Sequence, residues 1–248
     1  MDVNEKMMAV FETKEAAGLA AGKAIEMQIT DLLKVQEEVR IIFAAAPSQN
    51  ETLDYLVNST KIPWEKIIAF NMDEYIGLSD DAEQLFSNYL MERIFNKVKV
   101  KKLHLIDPKN SVDNEIKRMT NLIHNAVIDI IILGIGQNGH IAFNDPPVAD
   151  FEDSAVIKQV ELDQVCRQQQ VNDKCFLTID EVPSQALTLT IPTIMSGKHL
   201  FCIVSGQHKA EAVYQTLHGE ISINWPSTIL RTHPDCKFYF DKKAYNYG

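Results

Sequence analysis

One run of apolar, mostly β-branched residues at 127–133 (VIDIIIL) constrains this chain more than any other stretch. It reads as a strand buried on both faces, the kind found inside a parallel sheet. The run breaks directly into Gly134, Gly136 and Gly139, with His140 next in line. Glycines at the carboxyl end of a buried strand let the backbone turn sharply and approach a ligand closely. A polar cluster of Asn138, His140, Asn144 and Asp145 follows, stiffened by Pro146 and Pro147, whose φ angles are restricted. Together these describe the mouth of a small-molecule site carrying one titratable imidazole.

The rest of the chain supplies a scaffold for such a mouth. Helical periodicity marks residues 13–33, 82–98 and 111–126, and a helix over 50–56 has Ser48 or Asn50 as its N-cap. Apolar or alternating runs predict strands at 39–45, 66–72, 102–106, 156–162, 186–191, 200–204 and 237–240. Residues 163–170 read as a polar helical turn. Strands alternating with helices predict an α/β fold, a largely parallel sheet with helices on both faces, built as a single domain over residues 1–248. In such a sheet ligands sit outside the carboxyl ends of the strands.

Charge and composition narrow the function. A net charge of -10 argues against a nucleic-acid partner, because phosphate neutralisation needs a basic surface. A small anion stays compatible, since two or three local cations decide its binding. Residues 1–10 lack the apolar core of a secretory signal, and no run is long enough to span a bilayer, so a cytoplasmic protein with no membrane partner is expected. The four cysteines form no C-x-x-C pair and the histidines show no metal-ligand spacing, so no metal is expected. Homo-oligomer formation is left open.

Three strand ends and one turn hold the groups that could do chemistry. Asp73 and Glu74 follow an apolar strand, where a partly buried carboxylate gains a pKa useful to a base. The same acids could instead accept backbone N–H bonds as a loop cap. His140 has Asn138 and Asp145 close enough in sequence to orient it. The turn SGQHK (205–209) enters a helix N-terminus, where free N–H groups and the macrodipole favour an anion and Lys209 adds a full charge. Residues 46–52 offer a second helix N-terminus with Ser48, Gln49 and Asn50 as donors. Arg167 and Lys174 lie in a polar segment that could reach over the site or be a solvated face.

Two segments, FNMDEYIGL (70–78) and LGIGQNGHIAFNDP (133–146), resemble the signatures of the glucosamine-6-phosphate deaminase (isomerase) family. VPSQALTLT (182–190), the Lys209 turn and LRTHP (230–234) are similar in the same order, so the resemblance covers nearly the whole chain. It implies a Rossmann-like fold and a cofactor-free aldose–ketose isomerisation with loss of ammonia from an amino-sugar 6-phosphate. On that resemblance His140 opens the pyranose ring, and Asp73 moves the proton between C2 and C1. Asn138 and Asp145 orient the imidazole, while Ser48, Gln49, Asn50, Glu74, Gly136, Arg167 and Lys209 line the substrate and its phosphate.

The chain departs from the family pattern in three places. Asn138 stands where an aspartate is usual, Asp145 where a glutamate is usual, and residues 44–50 (AAAPSQN) replace a Gly- and Thr-rich phosphate loop. Two alternatives follow: a lactone hydrolase like the related 6-phosphogluconolactonases, which share the glycine–histidine core, and a sugar-phosphate sensor without turnover.

Overall fold

A computed structural model describes residues 7–146, 148–172 and 174–247. Pro147, one of the two prolines expected to stiffen the site mouth, lies outside the described residues. In chain order the elements are β1 (Met8–Phe11), α1 (Lys14–Leu32), β2 (Val39–Phe43), α2 (Asn50–Asn58), β3 (Ile67–Asn71), β4 (Asp73–Ile76), α3 (Phe86–Leu90), β5 (Lys102–His104) and α4 (Val112–His124). They continue with β6 (Ile130–Leu133), β7 (Ile157–Glu161), α5 (Gln164–Asn172), β8 (Gln185–Leu189), α6 (Ile191–Met195), β9 (His199–Val204), α7 (Ala210–His218), β10 (Cys236–Asp241) and α8 (Lys242–Tyr245).

Seven strands form one sheet in the order β1-β10-β9-β6-β2-β3-β5, and every pairing in it is parallel. The apolar run at 127–133 supplies its central strand, β6. Alternate side chains of β6 go to opposite faces: Ile130 and Ile132 join α1 and α2 in one core, Ile131 and Leu133 join α4, α6 and α7 in the other. All four are fully buried, worth about 1.5–3 kcal/mol of transfer free energy each. That double burial is why β6 shows no polar alternation in sequence.

Strand order reverses between β2 and β6. The chain leaves β2 for β3 on one side, while β6 leads to β9 on the other. The two following loops diverge there and open a crevice at the carboxyl ends, the switch point at which such sheets bind ligands.

A second sheet, β4-β8-β7, is antiparallel and lay outside the sequence expectation of one largely parallel sheet. It carries its own small core of Tyr75, Phe143, Val160, Cys166, Phe176 and Ala186, capped by α5. β4 begins with Asp73 and Glu74, paired with Thr188 and Leu187 of β8. Two acids are poor strand formers, which hides the element. The helix expected over 82–98 starts only at Phe86 and widens into a π-helical turn at Met91–Phe95. Its start is fixed by Glu74, whose carboxylate accepts the N–H groups of Phe86 (2.9 Å) and Ser87 (2.7 Å). β1 and α8 are further elements that the sequence did not announce.

Candidate active site

A cavity of about 260 Å³ opens at the switch point, lined by the loops after β2 and β6, by Met72 and Asp73 at the β3–β4 junction, by the turn before α7, and by α5. It is on the small side of ligand sites, which run to roughly 300–1,000 Å³ for drug-sized molecules.

The glycine loop exists to seat one ring. A Cβ on Gly136 would fall 2.2–2.3 Å from Cε1, Nδ1 and Nε2 of His140, so only glycine leaves the imidazole room. Gly139 holds a positive φ of 78° and turns the chain back, with its N–H on the Gly136 carbonyl (3.1 Å). Nδ1 of His140 then stands 2.8 Å from Oδ1 of Asn138 and 3.0 Å from Oδ1 of Asp145. Asn138 Nδ2 donates to the same Asp145 oxygen at 2.8 Å, and its Oδ1 also accepts the His140 N–H at 3.2 Å. Two acceptors at Nδ1 fix the proton there and leave the Nε2 lone pair as the ring's basic position.

Asp145 is buried, and burial alone pushes its carboxyl up. His140, Asn138 and the thiol of Cys166, all directed at it, outweigh that and hold it below the usual carboxylate range. Asn138 therefore acts as a bridge between the ring and the one acid that faces it.

Asp73 lines the same cavity from the start of β4. Burial first, and the charge of Glu74 second, push its carboxyl well above the ordinary value. A carboxyl raised in this way is a stronger base than an exposed one and can both take and return a proton. Glu74 differs. It is fully buried and accepts N–H bonds from Tyr75 (3.0 Å), Phe86 and Ser87, which offset part of the rise that burial imposes on it. The two readings of this acidic pair divide between its members: Asp73 faces the cavity, whereas Glu74 is a cap for α3 and does not line the site, a correction to its expected place on the substrate.

The anion end is also narrower than expected. Of Ser48, Gln49 and Asn50, only Ser48 lines the cavity. Gln49 is buried and its Nε2 bonds Ser48 Oγ (3.0 Å) and the carbonyls of Leu133 and Ile203 (both 3.3 Å), which braces the ends of β6 and β9. Asn50 Oδ1 accepts the Tyr89 hydroxyl. Both are corrections: their amides hold the loop that presents Ser48. Lys209 is nearly buried and lines the cavity beside Ser205 and His208, in the turn that enters α7. Lys14 also lines it, 2.7 Å from Glu51. Two helix N-termini, two lysines and the His208 imidazole thus border the cavity.

Arg167 is the largest departure. Its guanidinium donates to the carbonyls of Ile179 (2.6 Å) and Val182 (2.9 and 3.2 Å) and does not line the cavity, because the arginine ties α5 to the turn that precedes β8. Lys174 is exposed and likewise outside the lining. Instead α5 presents Gln169 and Gln170. Neither amide carries a sequence signal that separates it from the other glutamines of this polar helix. Lys14 was equally invisible, lacking any motif of its own, whereas His208 lies within the 205–209 turn that the sequence marked for an anion.

Among the described residues one set of side chains falls within metal-ligating range: His140, Asp145 and Cys166, with donor atoms within 4.8 Å of one another. His140 Nδ1 stands 3.0 Å from Asp145 Oδ1, and burial pushes the Cys166 thiol far up, so the thiol keeps its proton in this arrangement. No helix among the described residues is long and apolar enough to cross a membrane.

A glycine-seated imidazole and a buried carboxylic acid lining one switch-point cavity define an α/β protein with the groups for proton transfer on a small molecule. The family model of glucosamine-6-phosphate isomerases and 6-phosphogluconolactonase matches residues 12–238, and the chain belongs to that family. It is 34% identical over 244 residues to a glucosamine-6-phosphate deaminase of Clostridium acetobutylicum, covering 96% of this chain and 98% of that one. A Clostridium botulinum glucosamine-6-phosphate deaminase is 32% identical, covering 95% of this chain and 94% of the relative. Among solved structures, a monomeric glucosamine-6-phosphate deaminase superposes with a TM-score of 0.87 at 29% identity, covering 96% of this chain and 98% of the other. A 6-phosphogluconolactonase from Thermotoga maritima gives 0.78 at 16% identity, with 95% and 99% covered, which is a likeness of fold.

Proposed function

We propose that this chain deaminates and isomerises an amino-sugar 6-phosphate, taking glucosamine 6-phosphate or its galactosamine epimer to the ketose 6-phosphate and ammonia. The observation that carries the reading is the joint lining of one cavity by Asp73 and His140, an acid whose carboxyl is raised by burial and an imidazole with its Nε2 lone pair free of the Nδ1 network. Nε2 takes the proton of the C1 hydroxyl and returns it to the ring oxygen, opening the pyranose. Ionised Asp73 then removes the C2 proton, giving an enolamine, and delivers it to C1. The C2 imine so formed adds water and expels ammonia. Ser48, Lys209, Lys14 and His208 hold the phosphate at the cationic end. The substrate is a small molecule met in the cytoplasm, without a nucleic-acid or membrane partner.

Incubation with each epimer, reading ammonia and ketose 6-phosphate together, tests the proposal. Equal amounts of the two products support it, and no turnover of either epimer defeats it. Release of acid from 6-phosphogluconolactone at a higher kcat/KM than either amino sugar would give the lactonase alternative the site instead.

A further inference from the structure

The polar helix α5 buries Cys166, Gln169 and Gln170, at positions i, i+3 and i+4. A helix that puts two amides and a thiol inward is packed on something polar, and here that is the loop seating His140. At the near end of the loop Gln169 Oε1 accepts the Gln137 N–H at 2.9 Å. At the far end the buried Cys166 sulfur lies beside the Asp145 carboxylate, and the ligand atoms of Cys166, Asp145 and His140 all fall within 4.8 Å of one another. Gln137 and Asp145 bracket Asn138 and His140. The helix itself is anchored by Arg167 to the carbonyls of Ile179 and Val182.

We infer that α5 is a clamp on the catalytic loop, with Cys166 and Gln169 as positioning residues that keep Asp145 turned toward His140 and the imidazole proton on Nδ1. The inference deepens the proposed reaction and rests on it for its kinetic consequence only. Its physical content is simple. Asp145 Oδ1 accepts from Asn138 at 2.8 Å and stands 3.0 Å from His140 Nδ1, with the Cys166 thiol packed against the same carboxylate, and a carboxylate so surrounded is fixed in orientation as well as in charge. Removing the thiol leaves a buried carboxylate with one donor fewer, free to rotate away from Nδ1. The titratable groups around this thiol are Asp145 and His140 on the loop, Asp73 and Tyr75 on β4, and Asp163 just before α5. Of these, only the imidazole and the Tyr75 phenol carry a donor while Asp163 and Asp73 are ionised, and the buried phenol oxygen makes no hydrogen bond.

Two independent pairs of measurements test the clamp. Cys166→Ala should lower kcat by roughly tenfold with KM changed by less than about threefold, while Cys166→Ser, which keeps a donor, restores kcat to within about threefold of the unaltered chain. Gln169→Leu, which strands the Gln137 N–H, should lower kcat in the same way. Nitrogen NMR of the His140 ring in the substrate-free protein above its titration gives the readout that does not depend on turnover. The Nδ1–H tautomer dominates in the unaltered chain and in Cys166→Ser, and the Nε2–H tautomer gains population in Cys166→Ala and Gln169→Leu. Cys166→Ser behaving as Cys166→Ala, or an unchanged tautomer in either Cys166→Ala or Gln169→Leu, overturns the inference. Because the tautomer is read without substrate, absence of amino-sugar turnover would defeat the proposed reaction and leave the clamp to be judged on the NMR alone. Each position decides independently, so one variant failing to fold leaves the other to settle it.

Discussion

Gly136→Ala places one carbon where the His140 ring already stands. The added Cβ falls 2.2 Å from Cε1 and 2.3 Å from both ring nitrogens. Carbon atoms settle at about 3.5–4.0 Å, so the ring must retreat by more than about 1 Å. It is not free to do so, because Nδ1 is held at 2.8 Å by Asn138 and at 3.0 Å by Asp145. Retreat breaks both bonds and costs about 2 kcal/mol of stability, which for a chain of this size lowers Tm by roughly 4–8 °C. The kinetic loss is larger, since a displacement of about 1 Å at a reacting group costs on the order of a hundredfold. Steady-state ammonia release from the amino-sugar phosphate measures it: kcat should fall about a hundredfold, with the protein still folded at assay temperature. A folded variant with kcat within about threefold of the unaltered chain would refute the assignment of His140 as the ring-opening base.

Other perturbations separate the remaining roles. Asp73→Asn should abolish turnover, and it should also stabilise. The folded carboxyl is raised by burial and by Glu74, so its favourable contribution is present below the unfolded value, near pH ~4, and is lost as pH rises through the folded one. Thermal melts should therefore coincide at low pH and diverge, with the variant higher, at pH ~8. For Glu74→Ala the expectation is reversed: the N–H groups of Tyr75, Phe86 and Ser87 lose their acceptor, and stability measured by urea falls by about 2–4 kcal/mol. Lys209→Met should raise KM for the phosphorylated sugar by roughly tenfold or more, whereas Arg167→Met leaves KM within about threefold and makes residues 174–182 easier to cleave by protease.

How far the sequence foretold this molecule depends on the kind of residue involved. β6 was legible because double burial writes itself as an unbroken apolar run, and the loop from Gly134 to Asp145 was legible because seating a ring against the backbone demands glycine at 136. β4 was not, since it opens on two buried acids, and the Phe86 and Ser87 N–H groups that answer Glu74 lie twelve and thirteen residues further along the chain. The same distance concealed the division between Asp73 and Glu74. Both readings of that pair were available, and only the position of the α3 N-terminus assigns one to each residue. Arg167 and Gln169 show the limit from the other side. On a polar helix a cation looks like the ligand-binding group and an amide looks like surface, yet the rotation of α5 gives the arginine to main-chain carbonyls and the glutamines to the cavity. Cys166 has no motif at all, and its place beside Asp145 is a property of tertiary packing.

The central claim is that Asp73 carries a proton away from C2. Amino-sugar 6-phosphates of both epimers, labelled with deuterium at C2, test it most directly when followed by NMR alongside ammonia. The account predicts that with one of them the label leaves C2 for C1 or for water as ammonia appears, and that Asp73→Asn stops both. Retention of the label at C2 of both epimers by the unaltered chain, or loss at an undiminished rate by Asp73→Asn, would contradict it.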